Sequence, residues 1–242
     1  MQNYHRHTSY SNVFIADSAA VNEDYAKRAV ELDHKIISSV EHGWQGYYYE
    51  TFELAQKYNL KFIFGAEAYW VKDRNEKDRT NSHIVILAKN ENGRRSINRI
   101  LSDANETGYY FRPRIDIELL LSLPSNDVFI TSACVAFWQY EDIEEIVEKL
   151  HNHFGNNFML EIQNHDTEKQ IALNKRILAL SQKLGIEMIV GLDSHYIYPE
   201  DESQRDYVLA AKNVRYEDEE RWYMDYHDDE TAMNRLLKQN VF

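Results

Sequence analysis

The chain of 242 residues carries a net charge of −13, and no apolar run in it approaches the roughly 20 residues a membrane span requires. So acidic a chain lacks the Lys and Arg surplus of a duplex-binding module, but a phosphate-handling enzyme stays open if its positive charge arrives as bound metal. The single cysteine, Cys134, excludes an internal disulfide and, with no signal peptide at the start, points to a cytoplasmic home.

The chain opens on a short segment around His5-Arg6-His7, then Asn12–Asp17, then a helix starting near Val21-Asn22, with Asn22 as the expected N-cap and Ala26, Ala29, Val30 and Leu32 as its apolar stripe. Lys35–Val40 reads as a buried strand ending in Glu41-His42-Gly43. Gly46–Tyr58 reads as a helix and Leu60–Trp70 as the next strand, with Gly65-Ala66-Glu67 inside it. A charged loop, 72–82, precedes the strand His83–Ala88. Asn92–Asn105 is an amphipathic helix, Tyr109–Arg114 a turn and Asp116–Leu123 a short helix. Val128–Thr131, Phe158–Ile162 and Glu187–Leu192 read as strands, Ile143–Phe154 and Thr167–Leu184 as helices.

Strands and helices therefore alternate about seven times, which argues for parallel strands with crossover helices and, at this length, a closed or distorted barrel. From Pro199 the pattern changes. Glu200–Lys212 and Asp228–Lys238 read as helices, and 216–229 is dense in acidic and aromatic residues, with no strand partner in view. The expected division is a barrel over residues 1–213 and a tail over 214–242 that docks onto something absent from the chain.

Residues able to bind metal recur where strands end, and in α/β barrels the C-terminal ends of the strands form the functional face. His5 and His7 share one face of an extended segment because side chains alternate with period two. His42, Cys134 and the pair Asp193/His195 each follow a strand, Asp17 follows the first segment, and Glu67 lies inside a strand. His83 begins a strand, so either that strand runs antiparallel or the loop before it folds over the mouth. His34, His151, His153 and His227 read as surface residues, and His165 as a flanking residue.

His5-Arg6-His7-Thr8-Ser9-Tyr10-Ser11, Glu41-His42-Gly43, Gly65-Ala66-Glu67-Ala68-Tyr69, His83–Asn90, Arg112-Pro113-Arg114-Ile115-Asp116, Ser132-Ala133-Cys134 and Asp193-Ser194-His195-Tyr196 occur in that order. Together they resemble the PHP (polymerase and histidinol phosphatase) domain, of the type at the N-terminus of the bacterial DNA polymerase III alpha subunit. The resemblance implies a distorted (β/α)7 TIM-like barrel holding up to three divalent ions (Zn, Mn or Fe) on His5, His7, Asp17, His42, Glu67, His83, Cys134, Asp193 and His195. It implies phosphoester hydrolysis, with 3′–5′ exonuclease proofreading on a single-stranded DNA 3′ end as the expected activity and a metal-bridged hydroxide, not a side chain, as nucleophile. Arg112 and Arg114, with Arg6 and Arg79 behind them, are the candidates for phosphate contact. The alternatives are a small-molecule phosphomonoesterase, as histidinol phosphatases are, and a non-catalytic domain docked on the remaining polymerase domains. No pair of palm-type aspartates followed by a fingers region is found, so the chain is not expected to polymerise DNA.

Overall fold

The computed structural model describes residues 3–80, 82–215 and 221–241. Eight strands form one curled sheet: β1 (Ile36–Ser39), β2 (Lys61–Trp70), β3 (Ser82–Ala88), β4 (Tyr109–Tyr110), β5 (Arg112–Ile115), β6 (Val128–Thr131), β7 (Phe158–Ile162) and β8 (Met188–Val190). The order is β4-β5-β2-β3-β6-β7-β8. On its other edge from β3, β2 takes β1 along Lys61–Phe64 and β5 at Tyr69–Trp70. The N-terminal segment joins beyond β8 through a parallel bridge between Arg6 and Ser194. The result is a distorted TIM-like barrel, as the alternation implied.

The question left open by His83 has a direct answer, since β3 runs antiparallel to both β2 and β6. The start of β3 therefore lies at the end of the barrel where β2 and β6 finish.

Period-two alternation sorts the strands' side chains into two sets. Ala66, Ala68 and Trp70 of β2, Ile84 and Ile86 of β3, and Leu160 and Ile162 of β7 face the helices. There they meet α3 (Glu91–Thr107), α4 (Ile117–Leu121), α5 (Ile143–Phe154) and α6 (Glu168–Leu184). The other set faces inward, where Tyr4, Val40, Val85, Leu87 and Ala133 form an apolar plug in the barrel. Glu67, His83 and Glu161 are on that same inward face, so polar groups here have to be satisfied by one another or by a ligand.

Helix starts follow local chemistry. Asn90 accepts from Gly93 N–H, Asp116 from Leu119 N–H and Thr167 from Gln170 N–H at the starts of α3, α4 and α6. Asn22 departs from expectation. It is the first residue of α1 (Asn22–Glu31) and makes no cap, its side chain being drawn into contacts with Arg6, Thr51 and Glu50. Val30 is exposed, and the buried aromatic on α1 is Tyr25. α2 spans Tyr48–Lys57.

Tyr109–Arg114 is more than a turn. It is a tight hairpin, β4–β5, pairing Tyr110 with Arg112 around Phe111 at φ 63°, and β5 continues the sheet. The tail also differs from expectation over its described part. Asp225 bridges Tyr196 in parallel, Tyr226 N–H donates to Ile197 O (3.1 Å), and Leu236 of α8 (Asp229–Lys238) enters the main core. Residues 216–220 of the acidic stretch lie outside the described residues. α7 spans Glu202–Ala211. Among the described residues no helix is long and apolar enough to cross a membrane.

Candidate metal centre

Each side chain of the cluster is placed by a local device. In the extended N-terminal segment His5 and His7 turn inward, while Arg6 turns outward over the Tyr25 ring (4.7 Å) and donates to Asn22 Oδ1 (3.0 Å). Asn12 Oδ1 accepts from the backbone N–H groups of Asp17 and Ser18 (3.0 and 3.1 Å), fixing the turn that presents Asp17. His42 leaves β1 as a parallel bridge to Glu67. The next residue, Gly43, sits at φ 70° with its N–H on Glu67 O (2.7 Å), where a Cβ would collide with the Tyr69 ring. Asp193 leaves β8 in the left-handed region at φ 49°, costly for a residue with a Cβ. The strain is held by neighbours: Ser194 N–H donates to His5 O (3.1 Å), His7 N–H to Ser194 O (2.7 Å), and His195 N–H to Met224 O (2.9 Å).

All nine side chains expected in the cluster converge. Asp193 Oδ1 lies 3.4 Å from His5 Nε2, 3.2 Å from His7 Nε2 and 3.7 Å from His195 Nδ1. Glu67 reaches His5 and His7 at 3.3 and 3.4 Å, His42 at 2.5 Å and His83 at 3.4 Å. Asp17 Oδ2 lies 3.3 Å from His195 Nε2 and 3.6 Å from His42 Nε2. Cys134 Sγ is 3.5 Å from His83 Nδ1. Three groupings bring donor atoms within 4.8 Å of one another: His7/His42/His195, His5/His7/Asp193 and His42/Glu67/His83.

The donor set fits metal ions on the evidence of its unmatched atoms. His5 Nε2, His7 Nε2, both ring nitrogens of His42, His83 Nε2, Glu67 Oε2, Asp17 Oδ1 and Asp193 Oδ1 are buried without a hydrogen-bond partner. Buried acceptors left facing one another are costly, and cations between them remove the cost.

Several residues sequence reasoning passed over hold these ligands. Glu161 accepts from His5 Nδ1 (2.8 Å), Tyr4 Oη (2.7 Å), Thr131 Oγ1 (2.7 Å) and Gln163 Nε2 (3.0 Å). Glu41 accepts from Thr8 N–H, Thr8 Oγ1 and Ser11 Oγ, and Ser11 Oγ meets His7 Nδ1 at 3.0 Å. His195 Nδ1 donates to Asp193 O (2.8 Å). With Nδ1 engaged in each ring, Nε2 is the atom offered to the cluster. Glu161 could have been found from its strand: a charged residue among apolar neighbours in a buried strand has to be paired.

Burial and neighbouring charges pull the cluster's pKa values in opposite directions. Burial opposes ionisation of Glu67 and Asp17, but neighbouring imidazoles outweigh it and hold both pKa values well below the carboxylate range. Asp193 is lowered likewise, chiefly by His5 once burial is overcome. Burial also disfavours imidazolium at His5 and His42. At His5 the carboxylates of Glu161 and Asp193 prevail and raise the pKa, and at His42 Glu67 and Asp17 raise it to about 10. Burial dominates at His7 and His83, lowering them to about 3 and about 4. Burial and the carboxylates of Glu67 and Asp193 raise the Cys134 thiol.

The cluster opens into a cavity of about 310 Å³, whose far wall includes His165, Lys169, Arg205 and Trp222. Among the candidate arginines, Arg112 stacks on Tyr69 (5.0 Å), whose ring lies 5.1 Å from that of His83. Arg114 is not brought to the cluster, because its buried guanidinium donates to the backbone carbonyls of Arg74, Glu76, Asp78 and Gly108. Arg6 points to α1, and Arg79 is exposed over Phe111. His34 and His227, expected at the surface, are buried: His34 meets Tyr226 Oη (3.0 Å) and His227 Nε2 meets Asn164 (2.7 Å).

A family model, the PHP domain, matches residues 3–165. The chain belongs to the PHP domain family. Its relatives include the DNA polymerase III alpha subunits of Borreliella burgdorferi, 29% identical over 93% of this chain, and Aquifex aeolicus, 27% identical over 86%. That of Thermus aquaticus is 29% identical over 90%. This PHP chain spans about a fifth of the length of these relatives, 20%, 19% and 19% respectively. Among solved structures, a candidate metal-dependent phosphoesterase from Bifidobacterium adolescentis aligns with TM-score 0.55 at 13% identity, covering 98% of this chain and 96% of that one. A sulfate-bound amidohydrolase from Chromobacterium violaceum aligns with TM-score 0.54 at 13% identity, covering 80% and 87%. Both likenesses concern the fold.

Proposed function

We propose that this PHP chain is a metal-dependent phosphoesterase acting as a 3′–5′ exonuclease on the single-stranded 3′ end of DNA, within a cytoplasmic polymerase III alpha-type protein. The observation that carries the proposal is the convergence at one barrel mouth of buried imidazole and carboxylate atoms that face one another without a hydrogen bond. The proposed ligands are His5, His7, Asp17, His42, Glu67, His83, Cys134, Asp193 and His195, and the proposed ions are up to three of Zn, Mn or Fe. A thiol beside His83 favours Zn at that end.

When bound, such ions polarise phosphoryl oxygens and make a nucleophile of water near neutral pH. The chain's own residues do the rest. Glu161, Ser11 with Glu41, and the Asp193 carbonyl hold three imidazoles in the tautomer that offers Nε2. Arg112, against Tyr69 at the mouth, orients a phosphate. In the polymerase context residues 1–213 act as the barrel, and the outward face of the tail, 214–242, leads toward the polymerase body. The alpha-subunit relatives support the DNA end as substrate over a small phosphomonoester.

Metal content and hydrolysis of a single-stranded oligonucleotide, measured together across a pH series, test the reading. Both are expected to fall together as the ligands protonate on acidification. Hydrolysis persisting in a metal-free sample refutes it.

A further inference from the structure

Beside the cluster, on the far side of Tyr69, lies a second cavity of about 200 Å³. Its walls include the Tyr69, Tyr110 and Phe111 rings, the Arg79 and Arg112 side chains and Thr80. Phe111 is 59% exposed at the tip of the β4–β5 hairpin, in a left-handed conformation (φ 63°) that glycine or asparagine adopts at less cost. An aromatic ring there is disfavoured twice, by backbone and by exposure.

Aromatic rings and guanidinium groups alternate at the hollow. The Arg79 guanidinium lies 3.9 Å over Phe111, Tyr110 meets Phe111 edge to face (4.9 Å, 89°), and Arg112 lies 5.0 Å over Tyr69. Arg114 ties the loop carrying Arg79 to the hairpin by its bonds to the Arg74, Glu76 and Asp78 carbonyls. Among the lining residues the one carboxylate is Asp78, and it is engaged by Thr80 N–H (2.8 Å) and Thr80 Oγ1 (2.6 Å). A cationic, aromatic hollow on a chain of net charge −13 is complementary to a polyanion with planar rings.

We infer that the exposed Phe111 and half-buried Tyr110, with Arg79 and Arg112, form a stacking platform for the nucleobases of a single strand whose 3′-terminal phosphodiester enters the cluster, the buried Tyr69 serving as the floor that holds Arg112. The platform reads no sequence, since any base offers a π-face. It makes the site selective for a strand over a phosphomonoester, and in this it rests on the reading of the chain as a nucleic-acid phosphoesterase.

The test is fluorescence anisotropy of a labelled single-stranded oligothymidylate on the full chain, with chelator present so that binding is read without turnover. Phe111→Gly removes the ring while suiting the positive φ, and Arg79→Ala alters an exposed residue. Phe111→Gly is expected to weaken binding by about 5- to 100-fold. Arg79→Ala is expected to flatten the logarithmic salt dependence by about 0.7. An abasic strand of the same length is expected to bind weakly. Unchanged affinity in both variants, as expected if the patch instead meets a protein surface, or equal binding of the abasic strand, overturns the inference. If Phe111-dependent binding is found without hydrolysis under any metal, the platform stands and the exonuclease reading falls. If hydrolysis is found without Phe111 dependence, the reverse holds.

Discussion

Replacing Glu161 by Gln probes the support of the cluster without touching a proposed ligand. The side chain keeps its shape but loses its charge, and its new NH₂ must face two of four buried donors, either His5 Nδ1 and Gln163 Nε2 or Tyr4 Oη and Thr131 Oγ1. Losing the carboxylate that orients a ligating imidazole typically costs 10- to 100-fold in metal affinity, and one unpaired buried donor costs about 1–3 kcal/mol of stability. A second effect opposes the first. Glu161 also helps to raise the His5 pKa, so in the parent a proton competes for His5. Gln at 161 weakens that competition at low pH and leaves it irrelevant once His5 has deprotonated unaided. The parent's advantage in affinity is therefore expected to widen as pH rises. Titration calorimetry with Zn²⁺ and Mn²⁺ at several pH values, with denaturant unfolding of the metal-free chain, reads both. Gly191→Ala should act in the same direction, because a Cβ there would run into the Glu161 carboxylate. Affinity within two-fold of the parent at every pH, with the fold intact, would refute the claim that Glu161 orients His5.

His7→Ala and Asp193→Asn are expected to abolish hydrolysis and lower metal content while leaving the circular dichroism spectrum unchanged, Asn being chosen because it tolerates the φ of 49°; turnover in both would mean the site is misplaced. Arg114→Met strips partners from the Arg74, Glu76, Asp78 and Gly108 carbonyls and should cost about 2–4 kcal/mol in urea unfolding, the loop's partial exposure limiting the loss; a change below about 0.5 kcal/mol would show that the clamp is dispensable. At Asp225, burial is outweighed by His227 and Arg235, which lower the carboxyl to about 2. The folded pKa lies below the unfolded one, so this pairing contributes about 2 kcal/mol above about pH 4 and loses it as pH falls toward 2. In Asp225→Asn the gap in stability from the parent should close over that window, and a gap independent of pH would refute the pairing.

The elements whose burial is periodic were legible in sequence. α5 and β7 fall where the apolar pattern places them, and α3 and α6 lie within two residues of the expected bounds. What was not legible depends on contacts distant in sequence. Tyr109–Arg114 contains no glycine or asparagine to announce a hairpin, and its strands exist because β5 has β2 to pair with. Met224–Tyr226 lies in an acidic, aromatic stretch with no strand partner in view from sequence, yet it pairs with Tyr196 and Ile197, beside the buried His227. Asn22 has the chemistry of a cap and the position of a bridge between Arg6 and Thr51. Most of the proposed ligands were noticed because they follow a strand, as His42, Cys134, Asp193 and His195 do, while Glu67 lies inside β2 and His83 opens β3. Glu161 and Glu41 were not singled out, because a supporting carboxylate has no spacing rule of its own.

The antiparallel course of β3 explains how the cluster is assembled. Tyr69 and His83 are directly paired across β2 and β3, so the beginning of one strand and the end of the other meet at one level of the barrel. Glu67, two residues earlier in β2, then reaches His83 as well as His5, His7 and His42. One carboxylate contacting four imidazoles can be buried only if positive charge sits among them. The carboxylates around His5 and His42 raise both imidazole pKa values against burial, so the site favours positive charge there. Cations at the same place would displace protons from those rings, so binding, proton release and fold stability draw on one set of contacts. A cluster of this composition is unstable in the empty, fully deprotonated form, and the barrel mouth is for that reason chemically committed to holding positive charge.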